Sequence, residues 1–189
     1  PVLLMVSGGA DSTALVRLAH AGHLGPGAFA VLHVDHAIRE ESADDARWVE
    51  ALCTSLDIPV IVVRVDVPAL LASKGGNLED VARRVRYAAA EEALDRHEES
   101  RGADSGSGFI LTAHTRDDRV ETFLMRAIVG AGLSALSSIP RRRGRIRRPL
   151  LDVDRTELEA YLAAIDQPFL TDRTNVDTTR LRAHVRHRI

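Results

Sequence analysis

Acidic side chains cluster in the stretch AHTRDDRVET, residues 113–122, which follows an apolar run. At about 100° per residue, Asp117, Asp118 and Glu121 fall within one arc of a predicted helix. His114 precedes them at the end of the run. Carboxylates grouped on one face can bind Mg²⁺ or a substrate ammonium group, and one of them can accept a proton. The alternative is that they only complement the dipole at a helix start.

The stretch SGGADS, residues 7–12, lies between an apolar run and a predicted helix. Its glycines let the backbone turn tightly and approach an anion, and its hydroxyl and N–H groups can donate to phosphate oxygens. Asp11 beside such a cradle favours an Mg²⁺ ion between carboxylate and phosphate. The alternative is an ordinary turn, because the glycine spacing matches neither common nucleotide fingerprint. The residues predicted to bind phosphates are Ser7, Gly8, Gly9, Ala10, Asp11 and Ser12.

A third polar stretch, HVDHAIR at residues 33–39, stands at the end of a predicted strand. The alternation of side chains along a strand places His33 with Asp35, and Val34 with His36. This collection of polar groups favours a role in a site, and the alternative is a polar turn. Zinc is not predicted, because the stretch lacks thiols and has no matched pair of ligands elsewhere.

The elements that position these stretches alternate between strand and helix patterns. Apolar runs predict strands at residues 2–6, 29–35, 59–66 and 109–113. Helical patterns follow at residues 11–20, 42–56, 77–97, 117–129 and 155–165. This order predicts an α/β fold with an open, mainly parallel, Rossmann-like sheet and helices on both faces. Such sheets bind ligands at the carboxyl ends of their strands, where all three polar stretches lie.

Three local expectations follow from these patterns. Ser42 and Asn77 are predicted to cap their helices. The loop SRGADSGSG at residues 100–108 has little with which to pack, and we expect it to be mobile. On the helix at residues 117–129 we expect the apolar residues to face the sheet, opposite the acidic arc; these are Val120, Phe123, Leu124 and Ala127.

Arginine dominates the basic residues, since only Lys74 among the 25 lysines and arginines is a lysine. Residues 141–189 carry twelve arginines against seven acidic residues, although the whole chain has a net charge of −2. The cluster at residues 141–148 lacks interleaved aromatics, so it suits the phosphates of a folded nucleic acid better than stacking on bases. A GC-rich genome and a solvated loop are the alternatives. We expect a short arginine-rich helical extension here.

Composition excludes several classes of protein. The single cysteine, Cys53, can form neither an internal disulfide nor a Cys-x-x-Cys site, and we expect it to be buried and unreactive. No run approaches the roughly 18 apolar residues of a membrane span. These features predict a cytoplasmic protein without a membrane partner. The chain opens at Pro1 rather than at methionine, which indicates a missing or trimmed start.

Together these stretches resemble the N-type ATP pyrophosphatases, whose signature Ser-Gly-Gly-x-Asp-Ser is matched at every fixed position by residues 7–12. Later motifs are similar, in the same order, to those of the tRNA(Ile)-lysidine synthase family. The matching residues are His33, Asp35, His36, Arg39, Asn77, Glu79, Ala82, Arg83, Arg86, Tyr87, His114, Asp117, Asp118, Glu121, Thr122, Gly130, Gly132, Leu133, Arg148, Pro149, Leu150, Leu151, Asp172, Arg173, Asn175 and Asp177. Thr174 and Ala183 depart from the pattern, where serine and asparagine are usual.

The resemblance implies a ligase that works in two steps. ATP adenylates the C2 oxygen of the anticodon cytidine in a tRNA(Ile) with a CAU anticodon and releases pyrophosphate; the ε-amine of free L-lysine then attacks C2 and releases AMP. ATP and Mg²⁺ are the implied cofactors, with the metal at Asp11. The implied catalytic residues are Asp11, His114, Asp117, Asp118 and Glu121. His33 and Asp35 would join residues 7–12 in binding ATP, and the implied substrate-binding residues are His36, Arg39, Arg83, Arg86, Asp117 and Glu121.

The resemblance also divides the chain. Residues 1–140 look like a PP-loop ATP pyrophosphatase domain, and residues 141–189 look like the arginine-rich end of the catalytic domain with the start of a tRNA-binding extension. Family members commonly carry further C-terminal domains, and a homodimer is one assembly compatible with this interpretation. The alternatives are a tRNA 2-thiolase of the same superfamily, against which the single cysteine argues, a synthetase for a small amide, and a non-catalytic ATP-binding module.

Overall fold

The computed structural model describes residues 1–25, 28–38, 41–128, 130 and 139–171, without the side chain of Lys74. Its strands form one sheet in the order β3-β2-β1-β4-β6-β5, parallel except for β5. The elements are β1 (Val2–Met5), α1 (Ala10–His20), β2 (Phe29–Asp35), α2 (Ser42–Ser55), β3 (Val60–Arg64), α3 (Val67–Lys74), α4 (Leu78–Ser100), β4 (Phe109–Leu111), α5 (Arg116–Ile128), β5 (Arg142–Arg143), β6 (Ile146–Arg147) and α6 (Arg155–Ala164). The predicted α/β architecture is confirmed.

Strand β1 lies in the middle of the sheet because its sequence, VLLM, can be buried on both faces. Leu3 and Leu4 point to opposite faces and are both fully buried. In the register of the sheet, Leu4 lies between Val31 of β2 and Leu111 of β4. The loop that follows β1 therefore emerges at the centre of the carboxyl edge.

Helices cover both faces of this sheet, as predicted. One core joins the sheet to α1, α2 and α6, and its fully buried members include Leu4, Leu15, Val31, Val49 and Leu162. The other core joins the sheet to α4, and its fully buried members include Leu3, Ala90, Leu94 and Ile110. Within the described residues, no helix is long and apolar enough to cross a membrane.

Cys53 lies on the face of α2 that packs into the first core, where its side chain is fully buried. Burial raises the pKa of its thiol to about 11. A thiol with such a pKa stays protonated at neutral pH and is a poor nucleophile. The prediction of a buried cysteine is confirmed, and the raised pKa of its thiol agrees with low reactivity.

Side-chain caps fix the starts of two helices. Asn77 caps α4 as predicted, and its Oδ1 accepts the N–H of Glu79 at 2.8 Å. Helix α3, which the apolar pattern did not reveal, begins after Asp66, whose Oδ1 accepts the N–H of Ala69 at 2.8 Å. The signal for α3 is this aspartate followed by a proline, Pro68, in the first turn.

The arginine-rich residues 141–148 form a hairpin that belongs to the sheet. Strands β5 and β6 pair with each other, and β6 lies parallel to β4 with Ile146 opposite Ile110. The expected arginine-rich helical extension is therefore wrong for this cluster, because its backbone pairs with the edge of the sheet. The helix predicted at residues 155–165 is α6, which packs on α1 through the first core. The described part of the chain after residue 140 thus continues the sheet and its core. The division into two segments at that residue stays a prediction.

The loop after α4 is held by a buried carboxylate, although its sequence predicted a mobile segment. Glu98 is 1% exposed and accepts the N–H groups of Gly106 at 3.0 Å and of Gly108 at 2.5 Å. Arg145, at the hairpin turn, donates to Glu98 Oε1 at 2.6 Å. Burial alone would raise the pKa of Glu98, but these N–H groups and the charge of Arg145 lower it. One carboxylate therefore joins helix, loop and hairpin.

Helix α5 turns its acidic side inward, so the expectation that its apolar stripe faces the sheet is wrong. Asp118 and Glu121 are 8% and 2% exposed, whereas Val120 and Phe123 are 38% and 44% exposed. The reason is that the first turn is fixed by polar contacts of its carboxylates, described below, rather than by apolar packing. Those contacts determine how the whole helix is rotated.

Gly108 provides a test of the anchored loop. A Cβ at this position would lie 2.8 Å from Glu98 Oε1, 2.9 Å from Leu94 Cδ1 and 2.9 Å from the backbone oxygen of Pro1. We expect Gly108→Ala to lower the free energy of unfolding by about 1–3 kcal/mol, because the backbone oxygen cannot move aside alone. Urea unfolding measures the change, with the exposed neighbour variant Ser107→Ala as control. Equal midpoints for the two variants would show that the loop yields without cost.

Candidate active site

The SGGADS loop is held in shape by its own hydrogen bonds. Gly9 is the N-cap of α1, and Ser12 Oγ donates to its carbonyl oxygen at 3.0 Å. Ser12 Oγ also accepts the N–H of Ser7 at 3.2 Å, which brings the two hydroxyl oxygens to 3.2 Å from each other. Thr13 follows the motif, and its Oγ1 donates to the carbonyl of Gly8 at 3.0 Å. The loop presents hydroxyls and a helix N-terminus, the donors that bind phosphate.

Gly8 is required by the shape of this loop. Its φ of +91° lies in the left-handed region, which side chains rarely adopt. A Cβ there would also lie 2.6 Å from Leu170 Cδ1 and 3.5 Å from Trp48 Cε3. The N–H of Leu170 donates to the carbonyl of Gly8 at 2.9 Å. The segment after α6 and a tryptophan of α2 therefore pack against the predicted phosphate loop.

His33 is buried beside the loop, at 5% exposure. Its Nδ1 lies 2.9 Å from the carbonyl oxygen of Val6, the residue before the loop. A carbonyl only accepts, so the ring nitrogen donates and the tautomer is fixed. The histidine thus holds the end of β1 to β2, and its role in binding ATP stays a prediction.

Asp35 is also buried, at 4% exposure, and it shapes the turn after β2. Its Oδ1 accepts the N–H of Ala37 at 2.8 Å, and Arg64 Nε lies 3.6 Å from its Oδ2. Burial alone would raise the pKa of Asp35, but the bonds from Ala37 and Ser42 and the charge of Arg64 lower it. The N-cap of α2 is Glu41 rather than Ser42, so the predicted Ser42 cap is wrong. An ATP contact of Asp35 stays a prediction.

His36 lies at the same turn, near the guanidinium of Arg86. Its Nδ1 is buried and has no hydrogen-bond partner among the described residues. Burial lowers the pKa of His36 to about 4, and the charge of Arg86 acts in the same direction. Arg83, one turn away on α4, places its guanidinium 5.3 Å from the ring of Tyr87. Arg39, which is also predicted to bind substrate, lies outside the described residues.

The carboxylates at the start of α5 have different partners. Asp118 Oδ2 accepts the N–H of Thr115 at 2.9 Å and its hydroxyl at 3.3 Å, so this group caps the helix as the alternative interpretation proposed. Asp117 Oδ2 accepts the backbone N–H of Arg155, on α6, at 2.9 Å. Glu121 follows one turn later and is buried. The acidic arc therefore combines capping with contacts to another element.

His114 stands just beyond the carboxyl end of β4. Its Nδ1 lies 2.9 Å from Thr112 Oγ1, and its side chain is partly exposed. Strand β4 is the neighbour of β1, so this histidine follows the strand adjacent to the SGGADS loop. The position agrees with a group that reaches a phosphate bound at the carboxyl edge.

Arg155, which the sequence did not single out, joins the SGGADS loop to α6. Its Nη2 donates to Asp11 Oδ2 at 2.7 Å, and its Nε lies 3.2 Å from the same oxygen. Burial alone would lower the pKa of Arg155, but the hydrogen bonds and charge of Asp11 raise it, as do the charges of Asp118 and Glu121. One guanidinium therefore faces acidic groups from the loop and from α5.

Two more ion pairs brace the starts of α5 and α6 against each other. Arg116 Nη1 lies 2.5 Å from Asp154 Oδ2, and Arg119 Nη1 lies 2.9 Å from Asp152 Oδ1. The N–H of Arg116 also donates to the carbonyl of Val153 at 3.0 Å. These contacts fix the backbone from which Arg155 extends.

Asp11 is the candidate metal ligand, and its surroundings define how a metal would fit. The described residues contain no group of three or more His, Cys, Asp or Glu side chains able to hold an ion. Mg²⁺ in nucleotide sites commonly takes one or two protein carboxylates together with phosphate oxygens and water. Asp11 fits this pattern as a single protein ligand beside a phosphate loop. The donor set suits a metal that arrives with a nucleotide rather than a dedicated cage.

A depression of about 640 Å³ lies at the opposite edge of the sheet, between the start of β2 and the end of α2. Its walls include Phe29, Leu56, Pro59 and Arg101. None of the predicted site residues lines it. The side chains suited to catalysis lie at the carboxyl edge of the sheet, so we do not assign the active site to this depression despite its volume.

A family model described as a PP-loop domain matches residues 1–189. The chain is similar to the tRNA(Ile)-lysidine synthase of Deinococcus deserti, with 45% identity over 185 residues, covering 98% of this chain and 32% of the relative. The enzyme of the same name from Deinococcus radiodurans is 46% identical over 188 residues, covering 100% of this chain and 30% of the relative. That of a Thermotoga species is 39% identical over 189 residues, with 100% and 44% covered. The chain thus spans less than half the length of these curated relatives.

Solved structures share the fold at low identity. A U34-tRNA thiolase from Methanococcus maripaludis has a TM-score of 0.72 and 16% identity, covering 98% of this chain and 64% of that one. An NH₃-dependent NAD synthetase from Campylobacter jejuni has a TM-score of 0.54 and 12% identity, covering 94% and 67%. These likenesses establish the sheet and its helices as a shared architecture.

His36 gives a pH-dependent stability. Its pKa falls from 6.5 to about 4 on folding, so between these values the unfolded chain takes up a proton that the folded protein does not. Protonation of the unfolded chain therefore destabilises the folded protein at acidic pH. The free energy of unfolding is unaffected by this group above pH 6.5 and falls by on the order of 1–3 kcal/mol as the pH falls toward 4. Urea unfolding from pH 4.5 to 7.5 should show a shallower dependence for His36→Gln than for the original protein. The exposed-histidine variant His23→Gln is the control, and equal slopes for His36→Gln and the original protein would contradict the assignment.

Proposed function

The chain belongs to the PP-loop domain family, and on that premise we propose that it catalyses ATP-dependent joining of lysine to the anticodon cytidine of a tRNA(Ile) with a CAU anticodon. The observation that carries the proposal is the meeting of the SGGADS loop and the carboxylates of α5 at the carboxyl edge, linked by Arg155. Relatives with the name tRNA(Ile)-lysidine synthase, 45% and 46% identical, support this choice within the family.

In this proposal the SGGADS loop binds the β and γ phosphates of ATP, which leave together as pyrophosphate. Ser7 and Ser12 would donate hydroxyl groups, and the start of α1 would supply backbone N–H groups. The loop has no lysine of the kind that serves transfer of a terminal phosphate, in agreement with a leaving pyrophosphate. His114 would stabilise the α-phosphate as the C2 oxygen of cytidine attacks it. Mg²⁺ at Asp11 would offset the charge that develops on the leaving group.

The carboxylates of α5 would serve the second step, in which lysine attacks C2 and AMP leaves. Free lysine has a pKa of about 10.4, so its ε-amine arrives protonated and must lose a proton before it attacks. Glu121 and Asp117 are the carboxylates proposed to bind the ammonium group, and one of the acidic residues would take the proton. Asp118 serves this role less directly, because its Oδ2 caps the helix.

Arginines would provide the contacts with tRNA. Arg83 and Arg86 lie exposed on α4, and with Arg39 they are candidates to bind tRNA phosphates or the lysine carboxylate. His36 lies near Arg86 at the same end of the sheet. We propose that the reaction takes place in the cytoplasm. We also propose that a tRNA-binding extension begins after residue 140 and that the protein can form a homodimer.

A tRNA 2-thiolase is the second candidate, and one observation weighs against it. The chain has a single cysteine, and that cysteine is fully buried with a raised pKa. A thiolase that uses paired cysteines for sulfur transfer or for a cluster has no counterpart of them here. A non-catalytic ATP-binding module would use the structural contacts of the acidic arc of α5 but not its capacity to bind an ammonium group or to accept a proton.

Pyrophosphate release distinguishes these candidates. We expect a tRNA(Ile) with a CAU anticodon alone to give at most about one pyrophosphate per enzyme, because adenylation needs only ATP and the cytidine. Sustained release should also need lysine, because its amine completes the turnover by releasing AMP. A tRNA(Met) transcript, which also carries CAU, serves as the matched control RNA. Release that ignores both lysine and tRNA would overturn the proposal, and ATP binding without any release would favour the binding module.

Asp11 tests the phosphate part of the site. We expect Asp11→Ala to reduce pyrophosphate release at least about 100-fold, because the charge of the leaving group is no longer offset. Circular dichroism verifies that the fold persists, and Asp44→Ala, an exposed aspartate on α2, is the matched control. Turnover of Asp11→Ala at the original rate would remove Asp11 from the mechanism.

Glu121 tests the lysine part. We expect Glu121→Gln to raise the KM for lysine about tenfold or more and to change the affinity for ATP less, since Glu121 acts on the phosphate loop only indirectly, through the charge of Arg155. Glu159→Gln, on the exposed side of α6, controls for the substitution. The same lysine dependence in Glu121→Gln and the original protein would exclude Glu121 from lysine binding.

A further inference from the structure

The carboxylate of Asp11 is engaged by an arginine at the place where the proposed metal would bind. Arg155 approaches it with Nη2 at 2.7 Å from Oδ2, and with Nε at 3.2 Å from Oδ2 and 3.3 Å from Oδ1. A guanidinium and a metal ion both need the lone pairs of the same two oxygens. Arg155 and a metal ion therefore compete for the carboxylate of Asp11.

We propose that Arg155 is a positioning residue that holds Asp11 in the ligand-free protein and is exchanged for Mg²⁺ when a nucleotide binds. The inference rests on the proposed function, because it takes the metal at Asp11 from it. The exchange of Arg155 for Mg²⁺ is a step beyond the two reaction steps that the family resemblance implies. That step belongs to the binding of the nucleotide and precedes any bond making.

The backbone of Arg155 allows such an exchange without a change of fold. Its N–H is bound by Asp117, and the braces formed by Arg116 and Arg119 hold the segment before it. Only the side chain, which extends from this fixed start of α6, needs to turn. The movement is one of rotamers, which are exchanged rapidly in partly exposed side chains.

The strength of the pair also allows exchange. The side chains of Arg155 and Asp11 are 26% and 18% exposed, so water reaches both. Because water can solvate both groups as they separate, breaking this pair costs less free energy than breaking a fully buried one. A divalent ion that brings the phosphates of a nucleotide offers Asp11 a stronger partner than a single guanidinium.

Nearby charges keep Arg155 in the site after it leaves Asp11. The charges of Asp118 and Glu121 act on its guanidinium from α5. The arginine thus stays between these carboxylates and the phosphate loop, where a bound nucleotide places further negative charge. The guanidinium of Arg155 therefore offsets negative charge in the site both before and after the nucleotide binds.

A titration with Mn²⁺ in the presence of α,β-methylene ATP, whose α–β bond is not cleaved, tests the exchange without any turnover when it is followed by electron paramagnetic resonance. In the 189-residue chain we expect Arg155→Gln to bind Mn²⁺ about three- to tenfold more tightly than the original protein, since the competing guanidinium is gone. Arg155→Lys, which keeps a charge but loses the planar fork, should fall between the two. Adding Asp11→Asn to Arg155→Gln should abolish the gain.

Arg116→Gln is the matched control, because it weakens the brace at the start of α6 but leaves the Asp11 pair intact. We expect its affinity for Mn²⁺ to equal that of the original protein. Equal or weaker binding by Arg155→Gln would overturn the exchange, and so would a gain of the same size in Arg116→Gln. If Arg155→Gln does not fold, the comparison of Arg155→Lys with the original protein decides in the same way.

The two proposals can fail separately. Tighter Mn²⁺ binding by Arg155→Gln together with pyrophosphate release that ignores lysine and tRNA would keep the exchange and refute the ligase. Lysine- and tRNA-dependent release together with unchanged Mn²⁺ binding would keep the ligase and refute the exchange.

Discussion

The site depends on one cation that lies among groups of the same negative charge. Asp11 follows β1, whereas Asp118 and Glu121 follow β4, and carboxylates brought together in this way repel one another. The guanidinium of Arg155 interacts with all three and relieves that repulsion. Because the loop, α5 and α6 each supply one part of this arrangement, none of them can take its position independently of the others.

The local parts of this structure could be predicted from the sequence. The apolar run of β1 and the SGGADS turn after it are each encoded by neighbouring residues, so a short window of sequence is enough to predict them. The cap at Asn77 is local in the same sense. Helix α3 escaped prediction because its signal was one aspartate and one proline rather than a periodic stripe.

The parts that could not be predicted depend on distant contacts. Arg155 and Asp11 are separated by 144 positions, and no periodicity connects them. A local signal did exist at Arg155, since Glu157 bonds back to the N–H of Asp154 and marks a helix start. It predicts where α6 begins but not which group its first side chain reaches.

The rotation of α5 illustrates the same limit. A period of 3.6 residues predicts which side chains share a face, and the acidic and apolar faces of α5 were identified correctly as opposite faces. It does not predict which face turns inward when polar contacts and apolar burial compete. Here the contacts of Asp117 and Asp118 in the first turn decide, and Phe123 is left at the surface. The fold gives up apolar burial at this helix to complete a charged site.

The packing around Gly8 has an optical consequence. The chain contains one tryptophan, Trp48, and its indole lies directly behind the SGGADS loop. Indole emission responds to nearby charge and to the access of water, so the intrinsic fluorescence of the protein comes from a position next to the proposed phosphate site. Leu170 packs against the same glycine. The protein therefore carries a built-in spectroscopic probe of its own loop, read without any label.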